Sequence, residues 1–357
     1  MRRSIRIAIG CLLVSLALAC SWPDERPRCV ILFIGDGMGP EQARAGRYYL
    51  GRELSFESFP SRASVRTDNA YGEVTDSAAA ATAMATGVKV ANGVLSVALP
   101  GGGEELETVL ERLSGEGWLT GLATTVYTTH ATPAAFGAHE ASRTSYDAIA
   151  DDYLRGSRPS LLLGGGANGL DEAEAIAAGY LVVDTKAELE AVPAATGARV
   201  AGLFGTGFLP YEYDGGPNSS GYPDLDDMTR EALRLLEDAE AGFFLMIESG
   251  LIDQAAHLND AARMVGEVTA LDRAVSVALS WAADRNDALI IVTADHETGG
   301  ITSVADAGAG GVPVVAWTTT GHTDAAVDVY AYGAGADRFA AITDNTGIHD
   351  ALVGLFD

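Results

Sequence analysis

Six histidines occur in 357 residues, and three of them stand where a metal ion could be held. Asp253 and His257 are four residues apart, so on a helix they share one face. Taken alone, such a pair is more readily a surface or core contact than a metal site. Asp295-His296 closes an apolar run, where an aspartate is commonly a cap and a histidine incidental. His322 follows the polar run Thr318-Thr319-Thr320-Gly321 and says little alone. Together they say more. Zinc accepts imidazole nitrogen and carboxylate oxygen, and a catalytic zinc keeps a position open for water or substrate. Two such ions side by side hold both the attacking and the leaving oxygen of a phosphoryl transfer. Asp36, Asp253, His257, Asp295, His296 and His322 are the candidate ligands for a pair. Thr132 and Glu248 add oxygens that suit a hard ion such as magnesium in a third position.

A nucleophile for that chemistry stands in Val74-Thr75-Asp76-Ser77-Ala78-Ala79-Ala80-Ala81-Thr82. A serine at the head of an alanine-rich helix is ordinarily an N-terminal cap. The same position brings backbone amides and the positive end of the helix dipole to any bound phosphate. No Gly-x-Ser-x-Gly elbow surrounds Ser77, which argues against a hydrolase triad. Metal coordination is the other way to activate a serine hydroxyl, by lowering its pKa.

These residues have to be brought together, and the apolar runs indicate how. Residues 30–34, 119–126, 161–163, 243–247 and 289–292 are apolar stretches, each ended by glycine or polar residues. Such a run reads as a buried parallel strand with a polar loop at its carboxyl end. Asp36, Thr128-Thr129-His130, Glu248 and Asp295-His296 all fall at those ends. Helices are predicted over residues 106–113, 228–239 and 260–282. The alternation predicts an α/β domain with a central, mostly parallel sheet sandwiched by helices, whose chemistry gathers at the carboxyl ends of the strands. Residues 182–221, rich in Gly, Ala and Pro, are expected to decorate this domain, and residues 305–311 to form a surface loop. Gly164-Gly165-Gly166 lacks a following Lys-Ser or Lys-Thr helix start and reads as a tight turn rather than a phosphate loop.

The formal charge of −26, from 49 acidic and 23 basic residues, repels nucleic acid, and no basic run offsets it. The excess acid suits a saline habitat and ordinary solubility alike. With 48% apolar residues the chain can bury a large core. Arg2, Arg3 and Arg6 precede an apolar run over residues 7–19, the pattern of a secretory signal and too short for a membrane span. The protein is therefore expected to be exported: periplasmic, secreted, or held at the membrane. Ala17-Leu18-Ala19 suits an ordinary signal peptidase, while Leu16-Ala17-Leu18-Ala19-Cys20 resembles a bacterial lipoprotein box, with alanine three residues before the cysteine. The lipoprotein route, with an acylated Cys20, is the preferred expectation. Cys11 lies inside the signal, and Cys29 is then a lone thiol; in the other route it could pair with Cys20. Residues 20–28 read as a tether and residues 29–357 as one catalytic domain.

Six ordered blocks between about residues 30 and 334 resemble the alkaline phosphatase family. They are the run from Val30 to Pro40 with its Gly35-Asp36-Gly37; Thr75-Asp76-Ser77-Ala78-Ala79; and His130-Ala131-Thr132-Pro133-Ala134-Ala135 with His139 and Ser142-Arg143. Then follow Phe244-Leu245-Met246-Ile247-Glu248 through Asp253 to His257, Thr293-Ala294-Asp295-His296-Glu297, and Gly321-His322-Thr323. The resemblance implies that Asp253, His257 and His322 hold a first zinc, and that Asp36, Asp295 and His296 hold a second toward which Ser77 reaches. It implies magnesium on Asp36, Thr132 and Glu248. Arg143 would clamp two phosphate oxygens as a bidentate fork, oriented by Asp76.

The same resemblance implies hydrolysis of small phosphate monoesters in two displacements through a phosphoserine, with retention at phosphorus. His130 stands where some bacterial members carry aspartate, and Gln254 where others carry Lys, His or Trp, which predicts a looser third site. The intervals from Thr132 to Glu248 and from His296 to His322 look trimmed, implying reduced accessory elements, an open site, and a monomer or homodimer. A sulfatase motif is absent, and there is no room for the inserted domain of a phosphoglycerate mutase. Within the superfamily the alternative is a phosphodiesterase, which Ser77 and Arg143 disfavour. Outside enzymes, the alternative is a metal-loaded phosphate-binding lipoprotein.

Overall fold

The computed structural model describes residues 26–194 and 197–357. The expected signal, Cys11, Cys20 and the first part of the tether lie outside the described residues. Within the stretch read as a tether, Arg26 pairs with Glu116 and lies over the Phe356 ring.

The sheet is built from β1 (Cys29–Gly35), β2 (Ser61–Val65), β3 (Leu119–Tyr127), β4 (Leu161–Gly165), β5 (Tyr180–Val183), β6 (Arg199–Leu203), β7 (Phe243–Ser249), β8 (Ala288–Thr293) and β9 (Val327–Gly333). Their order is β2-β9-β8-β1-β7-β3-β4-β6-β5. β9 runs antiparallel to both β2 and β8, and the remaining pairs are parallel. The expected α/β sandwich is present. Every residue of β1, β7 and β8 is buried, as their unbroken apolar sequences require of strands covered on both faces.

The helices form two groups that pack among themselves. One contains Pro40–Leu50, Leu225–Leu236, Leu251–His257 and Ala261–Ala282; the other contains Ser77–Thr86, Val109–Gly115, Ala131–Gly137 and Thr346–Val353. Ala261–Ala282 starts where expected, with the Asp260 carboxylate accepting from the amides of Ala262 and Arg263. The helix expected over residues 228–239 starts three residues earlier, at Leu225, after a reciprocal Asp224–Asp227 cap. The one expected over residues 106–113 begins later, behind the Thr108–Glu111 capping box.

Two expectations need correction. Residues 182–221 do not merely decorate the domain, because β6 is an interior strand between β4 and β5. Gly164-Gly165-Gly166 is not a tight turn: Gly164 and Gly165 finish β4, and the glycines let another segment cross them. A Cβ on Gly165 would lie 1.7 Å from the Gly207 carbonyl oxygen, closer than any side chain can be accommodated.

The register decides what the sheet can do. Ile34 of β1 lies beside Glu248 of β7 and Thr293 of β8, so three central strands end level with one another. Asp36 and Asp295 therefore leave their strands at the same height, with Glu248 two residues below them on β7.

Candidate active site

Asp36 follows β1 in a turn that Gly37 completes at φ +71°. A Cβ at Gly37 would meet Thr298 Oγ1 at 2.8 Å and Asp253 Cα at 3.0 Å, so glycine is what lets the β1 loop lie against the helix carrying Asp253. That helix, Leu251–His257, sets Asp253 and His257 one turn apart, with 3.1 Å between Asp253 Oδ2 and His257 Nε2. His322 arrives from a two-residue strand that pairs with Glu297-Thr298, directly after Asp295-His296.

Seven of the candidate ligands, joined by His130, fall into three neighbouring groups. In the first, His322 Nε2 lies 3.2 Å from His257 Nε2 and 3.6 Å from Asp253 Oδ1. His257 Nδ1 lies 2.6 Å from the Thr320 carbonyl oxygen, and His322 Nδ1 lies 2.9 Å from that of Thr75. Each Nδ1 therefore faces a backbone carbonyl, which turns both Nε2 atoms toward the Asp253 carboxylate, and the bond to that carboxylate raises His257 to about 9. In the second group, His296 Nε2 is 3.1 Å from Asp295 Oδ2 and 3.7 Å from Asp36 Oδ1. The third gathers Asp36, His130 and Glu248 within metal-binding distance of one another.

Among the described residues, both oxygens of Asp36, Glu248 Oε1, Asp295 Oδ2, Thr132 Oγ1 and His130 Nδ1 are buried without a hydrogen-bond partner. An uncompensated carboxylate is expensive inside a protein. Burial and the neighbouring Asp295, Asp253 and Glu248 raise Asp36 well above the carboxylate range. Burial likewise lifts Asp295 to about 6 and Glu248 to about 7. Burial lowers His296 to about 3, and burial with Arg143 lowers His130 to about 3, so both imidazoles are neutral. Neutral imidazoles, hydroxyls and unpaired carboxylates converging on common points form a donor set that fits cations. Nitrogen with oxygen in the first two groups suits zinc; the oxygen-rich third suits a harder ion.

The Ser77 hydroxyl is not the helix cap. Asp76 is, its Oδ1 accepting from the Ala79 amide at 3.0 Å. Ser77 occupies the first helical position, and its Oγ lies 3.4 Å from His296 Nε2. Asp76 Oδ2 accepts from the Gly93 amide and from Arg143 Nη1, both at 3.0 Å. One carboxylate thus fixes the helix start and aims the guanidinium. Arg143 Nη2 lies 3.4 Å from His130 Nε2, and Gln254 Nε2 donates to Asp253 Oδ2 at 3.1 Å. His139 stays away from the cluster, 2.8 Å from Glu111.

Sequence reasoning missed four contributors. Thr298 Oγ1 donates to Asp253 Oδ1 at 2.5 Å and lies 3.3 Å from His296 Nδ1, so one hydroxyl touches ligands of two groups. Thr124 Oγ1 donates to Glu248 Oε2. Buried Glu297 accepts from Gln42, from the amides of Gly300 and Ile301, and from Thr323, tying the His322 strand to the sheet. Tyr127 stands edge-on to His130, with ring centres 5.2 Å apart. Only the adjacency of Glu297 and Thr298 to Asp295-His296 offered a signal.

The alkaline phosphatase family model matches residues 27–314. The chain belongs to the alkaline phosphatase family. It is 37% identical to alkaline phosphatase 3 of Bacillus subtilis over 296 residues, 78% of this chain and 62% of that enzyme. Streptomycin-6-phosphate phosphatase of Streptomyces griseus is 33% identical, over 99% of this chain and 98% of the relative. Among solved alkaline phosphatases, a cold-active one from a psychrophilic Shewanella superposes with a TM-score of 0.83 at 31% identity, over 92% of this chain and all of that one. The enzyme from the Antarctic bacterium TAB5 gives 0.81 at 27%, over 93% and 98%. The chain thus spans under two thirds of the Bacillus alkaline phosphatase but nearly the whole of these two alkaline phosphatase structures.

Proposed function

We propose that this protein hydrolyses phosphate monoesters through a phosphoserine on Ser77. The carrying observation is the placement of a hydroxyl that caps nothing, turned into a nest of unpaired metal-type ligands, beside an arginine held on the preceding aspartate. Asp253, His257 and His322 would hold one zinc, and Asp36, Asp295 and His296 the other. Asp36, Thr132 and Glu248 would hold magnesium, with neutral His130 at its edge and a correspondingly loose grip. When bound, such ions lower the pKa of a coordinated hydroxyl and stabilise a departing alkoxide.

The chain's own residues do the rest. Arg143 binds two phosphoryl oxygens and fixes their orientation, because Asp76 prevents its guanidinium from swinging. The positive end of the Ser77–Thr86 helix faces the charge on those oxygens. Ser77 Oγ, having given up its proton to solvent, forms a bond to phosphorus as the ester P–O bond breaks, and the departing alkoxide takes a proton from solvent to leave as the alcohol. Water then attacks the phosphoserine and the P–Oγ bond breaks, which restores Ser77 and releases phosphate. Two inversions give net retention.

The relative matched end to end is named for a phosphate ester of streptomycin, so bulky polyol phosphates belong among the substrates to try. Export, with or without a lipid on Cys20, completes the reading. The test is p-nitrophenyl phosphate hydrolysis at pH 7–10.5 with zinc and magnesium, with and without chelator, beside Ser77→Ala. Chelator-sensitive turnover that Ser77→Ala abolishes is the expected result. Cleavage of the bis-ester alone would make the protein a diesterase, and phosphate binding without turnover would make it a binding protein.

A further inference from the structure

The glycines at the end of β4 have a consequence beyond the sheet. Leaving β6, the chain crosses them: the Phe204 amide donates to the Gly164 carbonyl at 2.8 Å, and Gly207 crosses Gly165 at the separation that forbids a Cβ there. The Leu209 amide then donates to the Thr125 carbonyl of β3 at 2.9 Å. This path carries Phe208 over the end of β3, where its ring stacks on Tyr127 at 5.3 Å with 16° between the planes. Tyr127 is braced by Tyr146, with 2.9 Å between their hydroxyl oxygens, and its edge meets His130, which in turn touches Arg143. Phe208 itself is 41% exposed, although burying an aromatic ring of this size is strongly favourable.

Solvent reaches the site at Arg143 and His257. Ser77, Asp36 and His296 are buried, whereas the side chains of Arg143 and His257 keep 25% and 35% exposure. An ester whose phosphoryl group sits on Arg143 must therefore send its alcohol outward past these residues. The Tyr127–Phe208 stack stands one residue, His130, away from Arg143.

We propose that Phe208 determines specificity, offering a stacking surface to monoesters whose alcohol carries an aromatic ring one sugar away from the phosphate. The inference deepens the monoesterase reading and rests on it. Stacking of a base on an aromatic side chain tolerates any base and needs no hydrogen bonds, as an exposed ring braced by Tyr127 and His130 provides.

The test compares adenosine 5′-monophosphate with ribose 5-phosphate, which share the reacting phosphate and sugar and differ in the base. On the zinc- and magnesium-loaded full chain, Phe208→Ala is expected to lower the ratio of kcat/KM values, adenosine ester over ribose ester, by about five- to tenfold. Phe208→Trp is expected to keep or raise it. An unchanged ratio for Phe208→Ala would overturn the proposal. So would a parallel loss on both esters with weakened inhibition by inorganic phosphate, which would make Phe208 only a cover for His130. The same ratio is to be read as binding of the two esters to metal-loaded Ser77→Ala. If the wild type hydrolyses neither ester, the monoesterase reading falls, while the binding ratio still decides the role of Phe208.

Discussion

Replacing Thr298 by valine isolates a single hydroxyl that touches two of the three ligand groups. Its hydrogen bond to Asp253 Oδ1 is 2.5 Å long and reaches a buried carboxylate, and its oxygen is 3.3 Å from His296 Nδ1. A hydrogen bond to a charged group contributes about 1.5–3 kcal/mol. Removing the outer partner of a metal ligand typically weakens metal binding about 10- to 100-fold, which is the same range by another route. The closer contact is with Asp253, so the Asp253–His257–His322 group should suffer more than the Asp36–Asp295–His296 group. The assay is a zinc titration of chelator-stripped protein against a competing chromophoric ligand. One binding step is expected to weaken about 10- to 100-fold and the other by less. Thr298→Ser should restore most of the loss. Two unchanged steps, or a serine variant as weak as the valine variant, would refute the argument, the latter by showing that the methyl group matters and the hydroxyl does not.

Three further outcomes are expected. Arg143→Lys should lower kcat/KM for p-nitrophenyl phosphate by about 10- to 100-fold and weaken inhibition by inorganic phosphate, because an ammonium cannot reproduce the fork. His130→Asp, replacing a neutral buried imidazole beside Asp36 and Glu248 by a carboxylate, should tighten magnesium binding about tenfold; calorimetric titration that finds the wild-type affinity would count against a magnesium role for this group. His139 is raised to about 9, because its bonds to Glu111 and the Ser96 carbonyl outweigh burial. A raised histidine stabilises the fold fully below about pH 6.5 and loses that contribution as pH rises through about 9. After discounting for solvent screening the contribution is about 1 kcal/mol, so thermal melts of wild type, compared with His139→Gln, should show the wild-type advantage shrinking between those pH values.

The interior of the sheet was legible because its strands are covered on both faces and read as unbroken apolar runs. The segments Cys29–Gly35, Phe243–Ser249 and Ala288–Thr293 show this clearly. The flanking strands were not. Ser61–Val65 carries a half-exposed Ser-Arg-Ala-Ser sequence, and Val327–Gly333 alternates because one of its faces is less enclosed. Arg199–Leu203 hides in a Gly- and Ala-rich stretch whose small residues suggest a loop although four of its five are buried. The candidate ligands were legible by type and order, and the structure brings them together. Thr298 and Phe208 were not, because their roles depend on which backbone crosses which. Gly165 announces that something passes close by, but sequence cannot say that the visitor is Gly207 or that Phe208 rides beside it.

The level ending of β8, β1 and β7 also bears on how such a protein changes over time. Asp36, Glu248 and Asp295 hang from the three strands at the heart of a nine-strand sheet, while β2 and β5 form its margins. Lengthening, shortening or fraying a margin leaves the spacing of those three carboxylates untouched. Amides of the central strands should be among the last to exchange with solvent, and the margins among the first. Insertions and losses at the periphery can then be tried by selection without retuning the metal geometry, so that chains of very different length can keep one chemistry.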